Sequence, residues 1–146
     1  MEPHYYTVEL NWLEERKGII SSPELKQKIE VATPPQFPKG IEGIWSPEHL
    51  ITAAVNSCFM TTFLAIAENS KLNFHQFNSK TTGKLEIVDG KYLMTEFVIH
   101  VRLEIVKEAD KERAERVLQK SEAACLISNS IKGATILNTV IVFYEG

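Results

Sequence analysis

Two cysteines, Cys58 and Cys125, are the residues whose type could do covalent chemistry in this chain of 146 residues. They lie too far apart for a Cys-X-X-Cys motif, and neither has a histidine or a second cysteine at a zinc-like spacing. We therefore expect no metal site. A structural disulfide is disfavoured in a reducing cytosol, so any bond between these thiols should be transient and catalytic. The alternative is that both are small buried hydrophobes, which is common for free cysteine.

Cys58 lies near the middle of "SPEHLITAAVNSCFMTTFLAIAENSK", residues 46–71, which predicts a helix. At about three turns from the helix start, the thiol gains little from the macrodipole. Burial among apolar groups would raise its pKa, so we expect a working thiolate to need a cation. The candidates are Arg16, in the predicted turn "EERKG", and Lys39, in the proline-rich loop of residues 33–45. Arginine suits the task better because its fork can hold a carboxylate and still face sulfur, although a charged turn residue is usually just solvated.

Glu48 occupies the predicted first turn of this helix, after Ser46 as N-cap and Pro47 at the first helical position. One interpretation makes Glu48 the carboxylate that orients Arg16. The other is local, because the helix dipole favours an acid at this position without any function.

The elements that must position these residues follow from periodicity, and their order β-β-β-α-β-β-α-β predicts an α+β fold. We expect an antiparallel sheet around a long buried central helix, with one buried face on each strand. Asp89-Gly90 predicts a tight hairpin, and Asp110 a cap for a second helix that Cys125 closes. The core-facing residues of the last hairpin strand and the second helix are Phe97, Ile99, Val101, Leu103, Ile105, Ala114, Val117, Leu118 and Ser121.

The central helix is apolar in nearly every direction, whereas a helix packed on one sheet needs a single apolar stripe. The simplest cover for the remaining side is a second copy of the chain across a two-fold interface. An alternative is that the second helix covers it within one chain. We treat residues 1–146 as one domain.

Composition and charge exclude several classes of function. The net charge of −3 without a basic cluster argues against nucleic-acid binding. We expect no membrane span, because no uninterrupted apolar run approaches about 18 residues. The start "MEPHYYTVELNW" lacks the features of a signal peptide, which predicts a cytoplasmic protein.

The segments "SPEHLITAAVNSCF" and "CLISNSI" resemble the two cysteine motifs of the OsmC/Ohr family, the osmotically inducible and organic hydroperoxide resistance proteins. The similarity spans essentially the whole chain. The sequence departs from these motifs at two positions, which bear on the subfamily. Leu126 stands where the family often has proline, and Ser57 stands where alanine is frequent.

The resemblance implies an intertwined homodimer and a cofactor-free thiol peroxidase that reduces organic hydroperoxides, and hydrogen peroxide less well. Cys58 matches the peroxidatic cysteine and Cys125 the resolving one, Glu48 matches the motif glutamate, and Arg16 falls near the family's N-terminal arginine. An external dithiol, in relatives a lipoylated protein, would reopen the disulfide. A non-catalytic redox sensor and a small-molecule-binding protein of the same fold are the alternatives.

Overall fold

The computed structural model describes all residues, 1–146, and divides into two compact units, Met1–Leu50 and Ile51–Gly146. The mixed α+β fold is confirmed, as is the predicted order of the main strands and helices. One three-stranded sheet lies in the first unit and another in the second. The elements are β1 (Glu9–Glu14), β2 (Lys17–Ser22), β3 (Leu25–Ala32), α1 (Pro47–Asn69), β4 (Phe74–Val88), β5 (Lys91–Ile105), α2 (Lys111–Ala124), α3 (Leu126–Ser130) and β6 (Ala134–Phe143), with a 3-10 turn at Glu108–Asp110.

The first unit is an antiparallel meander in the order β1-β2-β3. The β1–β2 turn contains Glu15 in the left-handed region at φ 48°. The predicted buried face of the first strand is wrong for a single chain, because its apolar residues are exposed, up to 75 % for Trp12. The strand also begins at Glu9, so Tyr6 and Val8 precede it. Alternation predicted the strand correctly, but it says nothing about what covers the apolar face.

Local signals account for both ends of α1. The Ser46 hydroxyl accepts the His49 backbone N–H at 3.1 Å, which confirms Ser46 as the N-cap. At the other end Lys71 adopts φ 54°, and the Leu72 N–H donates to the Ala67 carbonyl at 2.9 Å. With the Lys71 N–H donating to the carbonyl three residues earlier, this is a Schellman motif built without glycine.

The second sheet has the order β4-β5-β6. Asp89 and Gly90 both have positive φ and close the predicted β4–β5 hairpin. The prediction of a wholly antiparallel sheet is wrong here, because β6 pairs with β5 in parallel. A parallel pair needs a crossover, and the helices α2 and α3 supply it.

The core of the second unit forms between α1, the sheet and α2. On α1 the fully buried stripe repeats every four residues at Val55, Phe59, Phe63 and Ala67. The predicted core positions of the hairpin strand and of α2 are all buried, and they form one cluster with the α1 stripe except for Ser121. Aromatic contacts tie α1 to β4, with Phe63 stacked on Phe77 at a centroid distance of 4.8 Å.

The remaining circumference of α1 is less covered than its sequence predicts. Exposed residues include Met60 at 39 % and Leu64 at 42 %. The helix is also long and apolar enough to cross a membrane by length and composition, with a mean hydropathy of 1.8 over its best window. Polar residues interrupt this window, so it is not an uninterrupted apolar run, and the buried stripe makes α1 the core helix of its unit. The absence of a membrane span stays a prediction.

Two details of the second helix differ from expectation. Asp110 occupies the N-cap position of α2, but its side chain makes no capping hydrogen bond and instead pairs with Arg113 at 3.6 Å. Cys125 does not simply close the helix, because it adopts extended backbone angles and is also the N-cap residue of the short α3. This break turns the chain immediately after the second thiol.

Candidate active site

The second unit brings the two predicted thiols together, although 66 residues separate them in the chain. Cys58 is half-buried on α1, and Cys125 is fully buried at the junction of α2 and α3. In the reduced protein the Cys125 side chain lies close enough to Cys58 to lower the pKa of that thiol. The two sulfurs are therefore direct neighbours within one chain.

Backbone donors from the α2–α3 junction complete the surroundings of Cys58. The Ile127 N–H donates to Cys58 Sγ at 3.5 Å, and the Leu126 N–H also stabilises the thiolate. From α1 itself, the Thr62 hydroxyl lies 3.9 Å from the same sulfur. These donors are neutral, so the site stabilises negative charge on sulfur with dipoles.

The pKa values of the two thiols move in opposite directions. Partial burial raises the pKa of Cys58, but the N–H of Ile127, the thiol of Cys125 and the hydroxyl of Thr62 together bring it below its ordinary value. Burial raises the pKa of Cys125, and the neighbouring Cys58 raises it further, against a lowering by Ser128. The expectation that burial leaves Cys58 with a raised pKa unless a cation is supplied is therefore wrong.

The α2–α3 junction is held by Asn129. Its backbone N–H donates to the Cys125 carbonyl at 3.0 Å, and its side-chain amide donates to the Ala123 carbonyl at 3.1 Å. The buried stripe of α2 brings the junction to the core, since Leu118 and Ser121 precede Cys125 on that face. The junction thus presents both the Cys125 thiol and the Ile127 N–H to Cys58.

The orientation of α1 is set by a polar contact with β4. Asn56 Oδ1 accepts hydrogen bonds from the Ser79 hydroxyl at 2.7 Å and the Thr81 hydroxyl at 2.9 Å. Nearby, Gly83 permits a close approach of β4 to α1, because a Cβ there would lie 2.5 Å from Thr52 Oγ1. These contacts fix the helix two residues before Cys58.

The other predicted site residues belong to the first unit. Arg16 is exposed in the β1–β2 turn and, with apolar residues such as Leu10, Trp12 and Val31, lines a cavity of about 300 Å³. Glu48 is half-buried in the first turn of α1. Lys39 is exposed in the loop, with φ 63°. The roles assigned to these residues, and those assigned to the two cysteines, stay predictions.

Sequence reasoning did not identify Thr62 or the N–H groups of Leu126 and Ile127. The spacing of Thr62, four residues after Cys58, places both side chains on one helix face and was a usable signal. The backbone donors gave no such signal, because every residue except proline carries an N–H and only the turn between α2 and α3 at Cys125 directs these two toward the sulfur. No group of three or more His, Cys, Asp or Glu side chains is placed to hold a metal ion.

Comparison with known proteins identifies relatives of the whole fold. Residues 40–140 match the family model described as OsmC-like protein. The protein YmaD of Bacillus subtilis is 25 % identical over 139 residues, covering 91 % of this chain and 90 % of YmaD. A structure of an OsmC-like protein of unknown function from Vibrio cholerae has a TM-score of 0.82 at 19 % identity, covering 94 % of this chain and 100 % of that one. An organic hydroperoxide resistance protein from Elizabethkingia anophelis has a TM-score of 0.75 at 19 % identity, covering 98 % and 100 %.

Proposed function

Because the chain belongs to the OsmC-like protein family, we propose that it is a cysteine-based peroxidase that reduces organic hydroperoxides, and hydrogen peroxide less well. Family membership supports a redox-related role. The relative from Elizabethkingia anophelis is named an organic hydroperoxide resistance protein, which supports the substrate class. The observation that carries the proposal is the asymmetry of the adjacent thiols: Cys58 is accessible with a lowered pKa, and Cys125 is buried with a raised one.

Cys58 is the peroxidatic residue in this proposal. Its thiolate attacks one peroxide oxygen, an S–O bond forms, and the O–O bond breaks. The departing alkoxide takes a proton and leaves as the alcohol, while Cys58 becomes a sulfenic acid. A lowered pKa serves this step because the thiolate is the nucleophile.

Cys125 is the resolving residue. Its sulfur attacks the Cys58 sulfenic sulfur, an S–S bond forms, and the hydroxide leaves as water with the proton that Cys125 held. Burial suits this order of events, since the raised pKa keeps Cys125 protonated until the sulfenic acid is beside it. An external dithiol, in our proposal a lipoylated protein in the cytoplasm, then reduces the disulfide and is itself oxidised.

A homodimer with a shared active site belongs to the same proposal. Its support is the exposed apolar surface in each unit, at Trp12 on β1 and at Met60 and Leu64 on α1. Burying such surface against a second copy is favourable. Arg16, or alternatively Lys39, then assists the thiolate and Glu48 orients the arginine. Because neutral donors already lower the pKa of Cys58, the cation adds to an existing activation.

We predict that Cys58→Ser abolishes the reduction of an alkyl hydroperoxide, whereas Cys125→Ser permits one oxidation per chain and then stops. The reason is the division of work between attacking and resolving sulfurs. The measurement combines steady-state consumption of tert-butyl hydroperoxide in the presence of dihydrolipoamide with thiol titration before and after one equivalent of peroxide.

The wild-type protein and both single variants form a matched set for this experiment. Turnover by Cys58→Ser at the wild-type rate would refute the peroxidatic assignment. Oxidation of both wild-type thiols without peroxide turnover in the presence of any of several dithiols would indicate a redox sensor. Thiols that persist in the wild type would indicate a small-molecule-binding protein.

A further inference from the structure

Hydroxyl side chains surround Cys58 on α1, and they differ in what they bind. The Ser57 hydroxyl donates to the Ala53 carbonyl at 2.7 Å, and the Thr61 hydroxyl donates to the Cys58 carbonyl at 3.1 Å. These are the usual bonds of helical Ser and Thr to carbonyls three or four residues back. Thr62 is different, because its hydroxyl lies 3.9 Å from Cys58 Sγ.

Helix geometry explains this exception. Residues four apart share a face, so the Thr62 hydroxyl can reach either the carbonyl or the side chain of Cys58. The Thr61 hydroxyl already binds that carbonyl. A threonine hydroxyl that is not used by the backbone can donate to sulfur, for which longer hydrogen bonds are normal.

We propose that Thr62 is a further catalytic residue of this site, whose hydroxyl donates to Cys58 Sγ and stabilises the reactive thiolate. The inference rests on the proposed function in so far as it makes that thiolate the nucleophile. The geometry of α1 alone places the hydroxyl there.

The hydroxyl complements the donor on the other element. The Ile127 N–H approaches Cys58 Sγ from the α2–α3 junction, whereas the Thr62 hydroxyl approaches from the thiol's own helix. Donors from two elements hold the sulfur in one orientation as well as stabilising its charge. Among the groups that act on this sulfur, Cys125 is the titratable one, and the Thr62 hydroxyl stays a donor throughout the useful pH range.

The test is Thr62→Val, which removes the hydroxyl and keeps the branched shape. The rate of iodoacetamide modification at Cys58 is measured from pH 5 to 10 in the full chain by peptide mass spectrometry. We expect the rate at pH 7 to fall about threefold to tenfold, the effect of one lost hydrogen bond to a charged group at a partly exposed site. The alkaline plateau should stay equal or rise, because a thiolate of higher pKa is intrinsically more nucleophilic.

Two matched variants control the experiment. Thr62→Ser keeps the hydroxyl and should restore the wild-type profile, and Thr61→Val removes the adjacent helix hydroxyl and should leave the profile unchanged. An unchanged profile in Thr62→Val would overturn the inference. A rate that rises at every pH would also overturn it, since that pattern indicates loosened packing.

The test of Thr62 and the test of the proposed peroxidase activity can fail independently of each other. Alkylation requires no peroxide, so the expected profile in a protein that fails to turn over peroxide would support Thr62 as a donor and refute the peroxidase. Peroxide turnover together with an unchanged alkylation profile in Thr62→Val would support the peroxidase and refute Thr62 as a donor.

Discussion

The two units use similar alternating strands with different results. In Ile51–Gly146 the inward residues of β5 are buried between the sheet and the helices α1 and α2. In Met1–Leu50 the apolar residues of β1 are exposed, with Leu10 at 63 % and Trp12 at 75 %. An alternating strand therefore indicates that one face is to be covered, and the rest of the chain decides whether it covers that face itself.

Because of this difference, we expect the second unit to govern the stability of the fold and the first unit to govern self-association. The second unit contains its own core and should owe its stability to packing within one chain. The exposed face of the first unit is typical of a surface that associates, because contiguous apolar residues on a monomer are unusual. Substitutions of similar chemistry should therefore have different consequences in the two units.

The largest effect is expected in the second unit. Phe63→Ala should lower the free energy of unfolding by about 3–5 kcal/mol, because it deletes a fully buried ring and leaves a cavity. Urea denaturation at low protein concentration measures the loss. Leu10→Ala is the control, for which we expect a change within about 0.5 kcal/mol in the monomer. Equal losses for both variants would show that β1 depends on packing within one chain as much as α1 does.

A smaller effect is expected on assembly in the first unit. Trp12→Ala should weaken self-association by roughly tenfold to a hundredfold, as truncation of a central interface aromatic does. Sedimentation equilibrium over a range of concentrations gives the dissociation constant, and Val140→Ala, at an exposed apolar position of β6, is the control. A wild-type chain that stays monomeric at every concentration would contradict the proposed dimer.

The smallest effect concerns whether the first unit takes part in the chemistry. Arg16→Lys should slow peroxide reduction severalfold, on the order of 1 kcal/mol, because lysine keeps the charge but loses the planar fork. Stopped-flow measurement of the first oxidation isolates this step from recycling. Lys39→Ala should leave the rate unchanged, and the opposite pattern would assign the assisting cation to Lys39.

Much of the fold is local enough to be predicted. The α1 boundaries follow from Ser46 and from the end of the apolar pattern, and the hairpin from Asp89-Gly90. The buried stripe of α2 continues to Cys125, which is fully buried at its end. Each of these signals acts over a few residues of chain, where propensity and periodicity determine the geometry.

The amino-acid sequence is enough to identify the two thiols, the helix that carries Cys58 and the apolar faces of the strands and helices. The parallel pairing of β6 with β5 and the distance of 3.5 Å from the Ile127 N–H to Cys58 Sγ depend on how the chain packs in three dimensions. The α2–α3 junction lies more than sixty residues after Cys58 in the chain, so their contact depends on how α1, α2 and the sheet pack together. For the same reason the direction of the Cys58 pKa shift could not be predicted from the sequence, because it depends on hydrogen-bond donors that packing brings to the sulfur.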